Sequence, residues 1–63
     1  MPTITVEGPA ISTDAKRELV RRFTETAREV YEIEEIVVLI KENPPENVGV
    51  GGQLLADRQQ NAH

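Results

Sequence analysis

The residue of this 63-residue chain best placed to do chemistry is Pro2, directly after the initiator methionine. A small or proline second residue permits removal of Met1, which would leave Pro2 with a free secondary amine. Such an amine can take a proton as a general base, or add to a carbonyl as a nucleophile. Its other reading is structural, since a proline opening a strand loses no ladder hydrogen bond. Other chemistry is scarce. The chain has no cysteine, hence no disulfide and no thiolate. Its one histidine, His63, is the last residue, read as a frayed tail rather than a ligand.

Composition narrows the class. A chain of this length holds one small domain, residues 1–63. The net charge of −4, with a single Tyr and a single Phe, argues against nucleic acid, which calls for a basic face and stacking aromatics. There is no apolar run of membrane-spanning length and no basic-then-apolar leader, so a soluble, cytoplasmic protein is expected. Only 38% of the residues are hydrophobic, and no disulfide or metal staples the chain, so a partner surface must complete the core. Self-association is the simplest source.

Three elements would position Pro2. Thr3–Glu7 alternates polar and apolar residues with β-branched types and predicts a strand ended by Gly8-Pro9. Ser12 or Thr13 offers an N-cap, with Asp14 in the first turn. Leu19, Val20, Phe23, Ala27, Val30 and Tyr31 then recur on one face of a helix expected over about 13–31. Glu18 with Arg22, and Arg28 with Glu32, stand at i,i+4 spacing. Ile36–Ile40 within residues 34–41 is an unbroken β-branched and aliphatic run, the pattern of a strand buried on both faces. The order is β-α-β, an α/β fold with parallel strands and a right-handed crossover. One helix covers one face of that pair, leaving either the Val37–Leu39 or the Val38–Ile40 set for another subunit.

Asn43–Asn47 predicts a rigid polar turn. Val48–Gly52 predicts a small turn or hairpin in which glycines take positive φ. A phosphate loop is the weaker reading, because no Lys-Ser/Thr pair follows the glycines. Residues 59–63 read as a polar, frayed tail.

Met1-Pro2 opening a strand, the Glu7-Gly8 turn, the amphipathic helix, the Ile36–Ile40 strand and Val48-Gly49-Val50-Gly51-Gly52 together resemble 4-oxalocrotonate tautomerase and its small relatives. The resemblance runs from Pro2 to about Leu55. It implies β-α-β units paired into dimers with a four-stranded sheet, three dimers in a hexamer, and a glycine-containing hairpin packed on a neighbouring subunit. It implies Pro2 as the base that moves a proton between carbon and oxygen of an enol or keto acid, without a cofactor. Ile40, Leu39 and Val48, with Ile4, would supply apolar surroundings. Desolvation disfavours the ammonium form and brings the amine's pKa toward neutrality. Leu39 and Val48 are therefore the expected substrate-binding residues beside Pro2.

The departures are equally specific. The family enzyme carries an arginine after the first strand, where alignment through the helix puts Ile11. It carries a second arginine in the second strand, where this chain has Val37, and an aromatic residue before the hairpin glycine, where this chain has Val48. Two charge-assisted substrate contacts are thus missing. Arg17 and Arg21 fall on the wet face of the helix, and Lys41 reads as a snorkelling strand-end lysine. The expected activity is that of a tautomerase acting on a small neutral or mono-acid enol or carbonyl compound. The alternative is a non-catalytic oligomeric module that binds a small ligand or serves assembly on the same fold.

Overall fold

The computed structural model describes residues 1–60, with side chains through Arg58; His63 lies outside the described residues. The elements are strand β1 (Thr3–Gly8), helix α1 (Thr13–Tyr31), strand β2 (Val37–Glu42), a 3-10 turn (Pro45–Asn47), strands β3 (Gly49–Val50) and β4 (Gln53–Leu54), and helix α2 (Leu55–Gln60).

β1 and β2 pair in parallel, Thr3 beside Val37 through Gly8 beside Glu42. This is the expected β-α-β unit. Ile4 and Val6 register with Val38 and Ile40 and are half-buried on the side covered by α1. The opposite face carries Thr3, Thr5 and Glu7 beside Val37, Leu39 and Lys41, and nothing among the described residues covers it: Leu39 is 47% exposed. Only Ala27, at 6% exposure on α1, is fully within the core among the described residues.

α1 starts where Ser12 caps it, its hydroxyl accepting from the Ala15 N–H at 3.1 Å. It stops at Glu32, which takes the left-handed conformation (φ 57°) while its N–H reaches the Arg28 carbonyl at 2.9 Å. That turn carries Glu32 off the helix surface, so the expected Arg28–Glu32 pair does not form. Arg28 instead donates to the Glu34 carbonyl at 2.8 Å and lies 3.7 Å from the Glu34 carboxylate. β2 follows at Val37, one residue after the expected start at Ile36, and runs on to Glu42.

The hairpin forms as expected. β3 and β4 pair antiparallel across Gly51 and Gly52, both at positive φ (61° and 83°), the two-residue turn that matches strand twist. α2 corrects the reading of residues 59 and 60 as a frayed tail. It is a short helix whose first N–H, that of Leu55, donates to the Val48 carbonyl at 2.8 Å and so packs it against the 3-10 turn. Hairpin and α2 form an arm rather than adding to the sheet. The chain measures 46 × 24 × 14 Å with a radius of gyration of 15.5 Å, against roughly 11 Å for a compact chain of this length. Val50 and Leu54 on the arm are 44% and 43% exposed. Among the described residues, no helix is long and apolar enough to cross a membrane.

Candidate functional site

Pro2 stands just before β1, and its carbonyl accepts the Val37 N–H at 2.9 Å. The bond continues the ladder by one step and fixes the residue at the amino-terminal end of both strands. The ring nitrogen has no ladder role to lose, so the position tolerates proline and leaves that atom free of backbone duty. Pro2 is half-buried and Met1 ahead of it is exposed.

The residues expected around Pro2 separate into three places. Leu39 shares the open sheet face with Val37, two residues further along β2 and beside Thr5. Ile4 and Ile40 face α1. Val48 follows the 3-10 turn, its N–H donating to the Pro45 carbonyl at 3.2 Å. That turn comes after Glu42, at the end of the strand pair opposite Pro2, and six strand residues span roughly 20 Å. Ile11 is at the same far end, its N–H 3.2 Å from the Glu42 carboxylate. Within one chain, Pro2 and Leu39 therefore share one half of the sheet, while Val48 and Ile11 share the other. Among the described residues the chain encloses no cavity by itself.

The far end is held by a small polar knot. Glu42 Oε2 accepts both from Lys16 Nζ at 3.0 Å and from the Ile11 N–H, tying β2 to the start of α1 and to the loop before it. The Lys16 hydrogen bond, with that of the Ile11 amide, holds the Glu42 carboxyl below its ordinary pKa. Asn43 Nδ2 donates to Glu7 at 3.2 Å, and Asn43 N–H to the Gly8 carbonyl at 2.9 Å. Sequence spacing gave no sign of Glu42, because Lys16 and Ile11 reach it only through the parallel crossover.

Charges on α1 are spent on one another. Arg17 pairs with Asp14 at 2.7 Å, and Arg21 joins Glu18 and Glu25. Arg22 pairs with Glu18 at 2.8 Å, as its spacing predicts. Hydrogen bonds from Arg21 and then Arg22 lower the Glu18 pKa to about 2. Arg17 and Arg21 lie on the exposed side of the helix. No cluster of three or more His, Cys, Asp or Glu side chains among the described residues is placed to hold a metal ion.

A β-α-β unit with a proline just ahead of its first strand and a glycine-turned hairpin defines a class, and comparison with known proteins gives the same one. The family described as Tautomerase enzyme matches residues 2–58. The chain belongs to the tautomerase family. Among solved structures, it is 48% identical to DmpI from Archaeoglobus fulgidus, covering 89% of this chain and 100% of that one at a TM-score of 0.81. It is 29% identical to TomN, a 4-oxalocrotonate tautomerase homologue in the tomaymycin biosynthetic pathway, covering 98% and 100% at a TM-score of 0.87. The heterohexamer 4-oxalocrotonate tautomerase from Chloroflexus aurantiacus J-10-fl is 28% identical, covering 90% and 97% at a TM-score of 0.79. Comparison with curated protein sequences gives no match.

Proposed function

We propose that this chain works as a cofactor-free tautomerase of the 4-oxalocrotonate type, with Pro2 as general base once Met1 is removed. The active form is a soluble, cytoplasmic homohexamer, and the substrate is a small neutral or mono-acid enol or carbonyl compound. The observation that carries the reading is the bond from the Val37 N–H to the Pro2 carbonyl at 2.9 Å. It fixes Pro2 at the start of the strand pair, one step before Val37, and asks no hydrogen bond of its ring nitrogen.

In that setting the chemistry is a proton transfer in two halves. The neutral Pro2 nitrogen takes a proton from carbon next to the carbonyl, the C–H electrons form the carbon–carbon double bond, and the carbonyl π pair moves to oxygen. The prolinium then returns the proton to oxygen, giving the enol, and the reverse sequence gives the keto form. Cover over Leu39 by a neighbouring subunit would desolvate the amine and favour its neutral state at working pH. The open face and the projecting arm support self-association. The solved heterohexameric relative supports the six-subunit form.

A second reading, an oligomeric module for ligand binding or assembly without catalysis, is favoured by Ile11 and Val37. Neither brings a cation to stabilise an enolate oxygen.

An NMR pH titration of the Pro2 nitrogen, after mass spectrometry on Met1, separates the two. The tautomerase reading expects a free Pro2 with a pKa near neutrality, clearly below that of an exposed prolyl amine. A retained Met1, or an unshifted amine, overturns it.

A further inference from the structure

Of the chain's seven cationic side chains, all within the described residues, five are held by carboxylates. Arg58 donates to the Gln53 side-chain oxygen at 3.3 Å. Among the described residues, Lys41 alone has no acidic or hydrogen-bonding side-chain partner. Its cross-strand neighbour is Glu7, which accepts instead from Asn43 Nδ2. Lys41 also stands on the open sheet face, in line with Leu39 and Val37. An unpaired ammonium at the end of an apolar strip is a receptor for a small anion with an apolar body.

Within one chain, Lys41 is four strand residues beyond Val37, roughly 13 Å from the Pro2 end. Two copies change that distance. Among the described residues, neither edge of the β1–β2 pair has a further strand. A two-fold, antiparallel pairing of like edges over the full strand length sets the Glu42 end of one copy beside the Pro2 end of the other. The axis is then perpendicular to the sheet, so the Val37–Leu39–Lys41 faces of both copies look the same way. Joined through β2, Lys41 of the second copy stands about one strand spacing, ~5 Å, from Val37 of the first; joined through β1, it stands about two spacings, ~10 Å, from the first copy's β1. In either case the ammonium, on its four-carbon stem, comes within the length of a small keto acid from the Pro2 nitrogen.

We infer that Lys41 of a neighbouring copy is the carboxylate-binding residue of the Pro2 site, and that the substrate is a 2-keto acid, or its enol, with one carboxylate. The inference rests on the Pro2 reading for its chemistry and narrows the substrate to the mono-acid class. One ammonium fits one carboxylate, and the neutral residues Ile11 and Val37 offer nothing to a second.

The test uses the assembled protein and pyruvate, with 2,3-butanedione as the neutral counterpart. Pyruvate is expected to shift the NMR signals of Leu39 and Val37. Lys41→Gln should weaken pyruvate binding about 10–100-fold, the worth of one charge-assisted contact. Lys41→Arg should keep most of it, and butanedione binding should be the same in all three proteins. In a mixture of isotope-labelled and unlabelled subunits, filtered NOEs should connect the Lys41 side chain of one copy to Val37 of another. Pyruvate that leaves the wild-type spectrum unchanged, binds Lys41→Gln equally well, or loses no more than butanedione does, overturns the assignment; absent NOEs overturn the contribution from a second copy. Exchange of pyruvate methyl protons for deuterium, compared between wild type and Pro2→Ala, reports the base separately. Binding that depends on Lys41 without Pro2-dependent exchange would sink the base and leave the carboxylate site standing.

Discussion

The outer face of α1 and the open face of the β1–β2 sheet are finished to different degrees. On the helix, each of Arg17, Arg21 and Arg22 has a carboxylate partner within a few residues, and the exposed side is settled with water. On the sheet, Leu39 is exposed and Lys41 stands without a side-chain partner among the described residues, while at the next residue, Glu42, a single oxygen accepts two hydrogen bonds. Local sequence completes the first surface. The second sets the apolar Val37 and Leu39 beside Thr3, Thr5, Glu7 and Lys41, and no described element of the chain covers it.

The largest effect expected from that contrast comes from Leu39→Asp. If the open face is buried between copies, the variant places an unpaired carboxylate in an apolar seam, at a cost of several kcal/mol. Sedimentation velocity should show the assembly falling apart to smaller species at micromolar concentration. The control is Arg17→Ala on the helix, where loss of an exposed ion pair should change stability by no more than about 0.5 kcal/mol and leave the sedimentation unaltered. An assembly that survives Leu39→Asp would mean that the open face stays wet and that oligomers form elsewhere.

The same division explains what the sequence reveals. Ser12, Asp14 and the apolar spacing from Leu19 to Tyr31 bound α1 correctly because capping and amphipathicity act within a few residues. The glycine pair announces its turn for the same reason. The strand β2 is legible from the run Ile36–Ile40 to within a residue at its start, while the left-handed turn at Glu32 and the bond from Arg28 to the Glu34 carbonyl ahead of it carry no such pattern. α2 carries no apolar stripe long enough to signal a helix; its beginning is set by the Val48 carbonyl, a contact seven residues back. Pro2 stands out as a candidate from type and position alone. Its surroundings are not legible, because Leu39 lies within the sheet and Val48 beyond the sheet's far end, and nothing in spacing says how copies meet.

A middle-sized effect belongs to the arm. Gly52 has φ 83° and open space where a Cβ would be added, so substitution there is opposed by backbone strain and not by a clash. Gly52→Val should cost about 1–3 kcal/mol in urea unfolding, mostly from holding a β-branched residue at positive φ. Gly51→Asn, at φ 61°, should be milder, since asparagine visits that region more readily. Equal losses at both positions would indicate that packing against a neighbour, and not backbone conformation, governs the turn.

The smallest effect lies on the finished surface. Glu18 is held at a pKa of about 2 by Arg21 and Arg22, against an ordinary value of 4.5. A carboxyl whose folded pKa is depressed stabilises the fold above its unfolded pKa and loses that contribution as pH falls through the folded one. Glu18→Gln, which cannot ionise, should therefore be slightly less stable than wild type at pH 7. The gap should narrow from about pH 5 downward, in the window those two values set, and close near pH 2. Added salt should shrink it at neutral pH, because the arginines and the carboxylate are exposed and screened. The check is a pair of urea unfolding series across that range at low and high salt. A gap that stays constant with pH would show that Glu18 acts through its stem's packing rather than its charge, and the contrast between the two faces would then rest on shape alone.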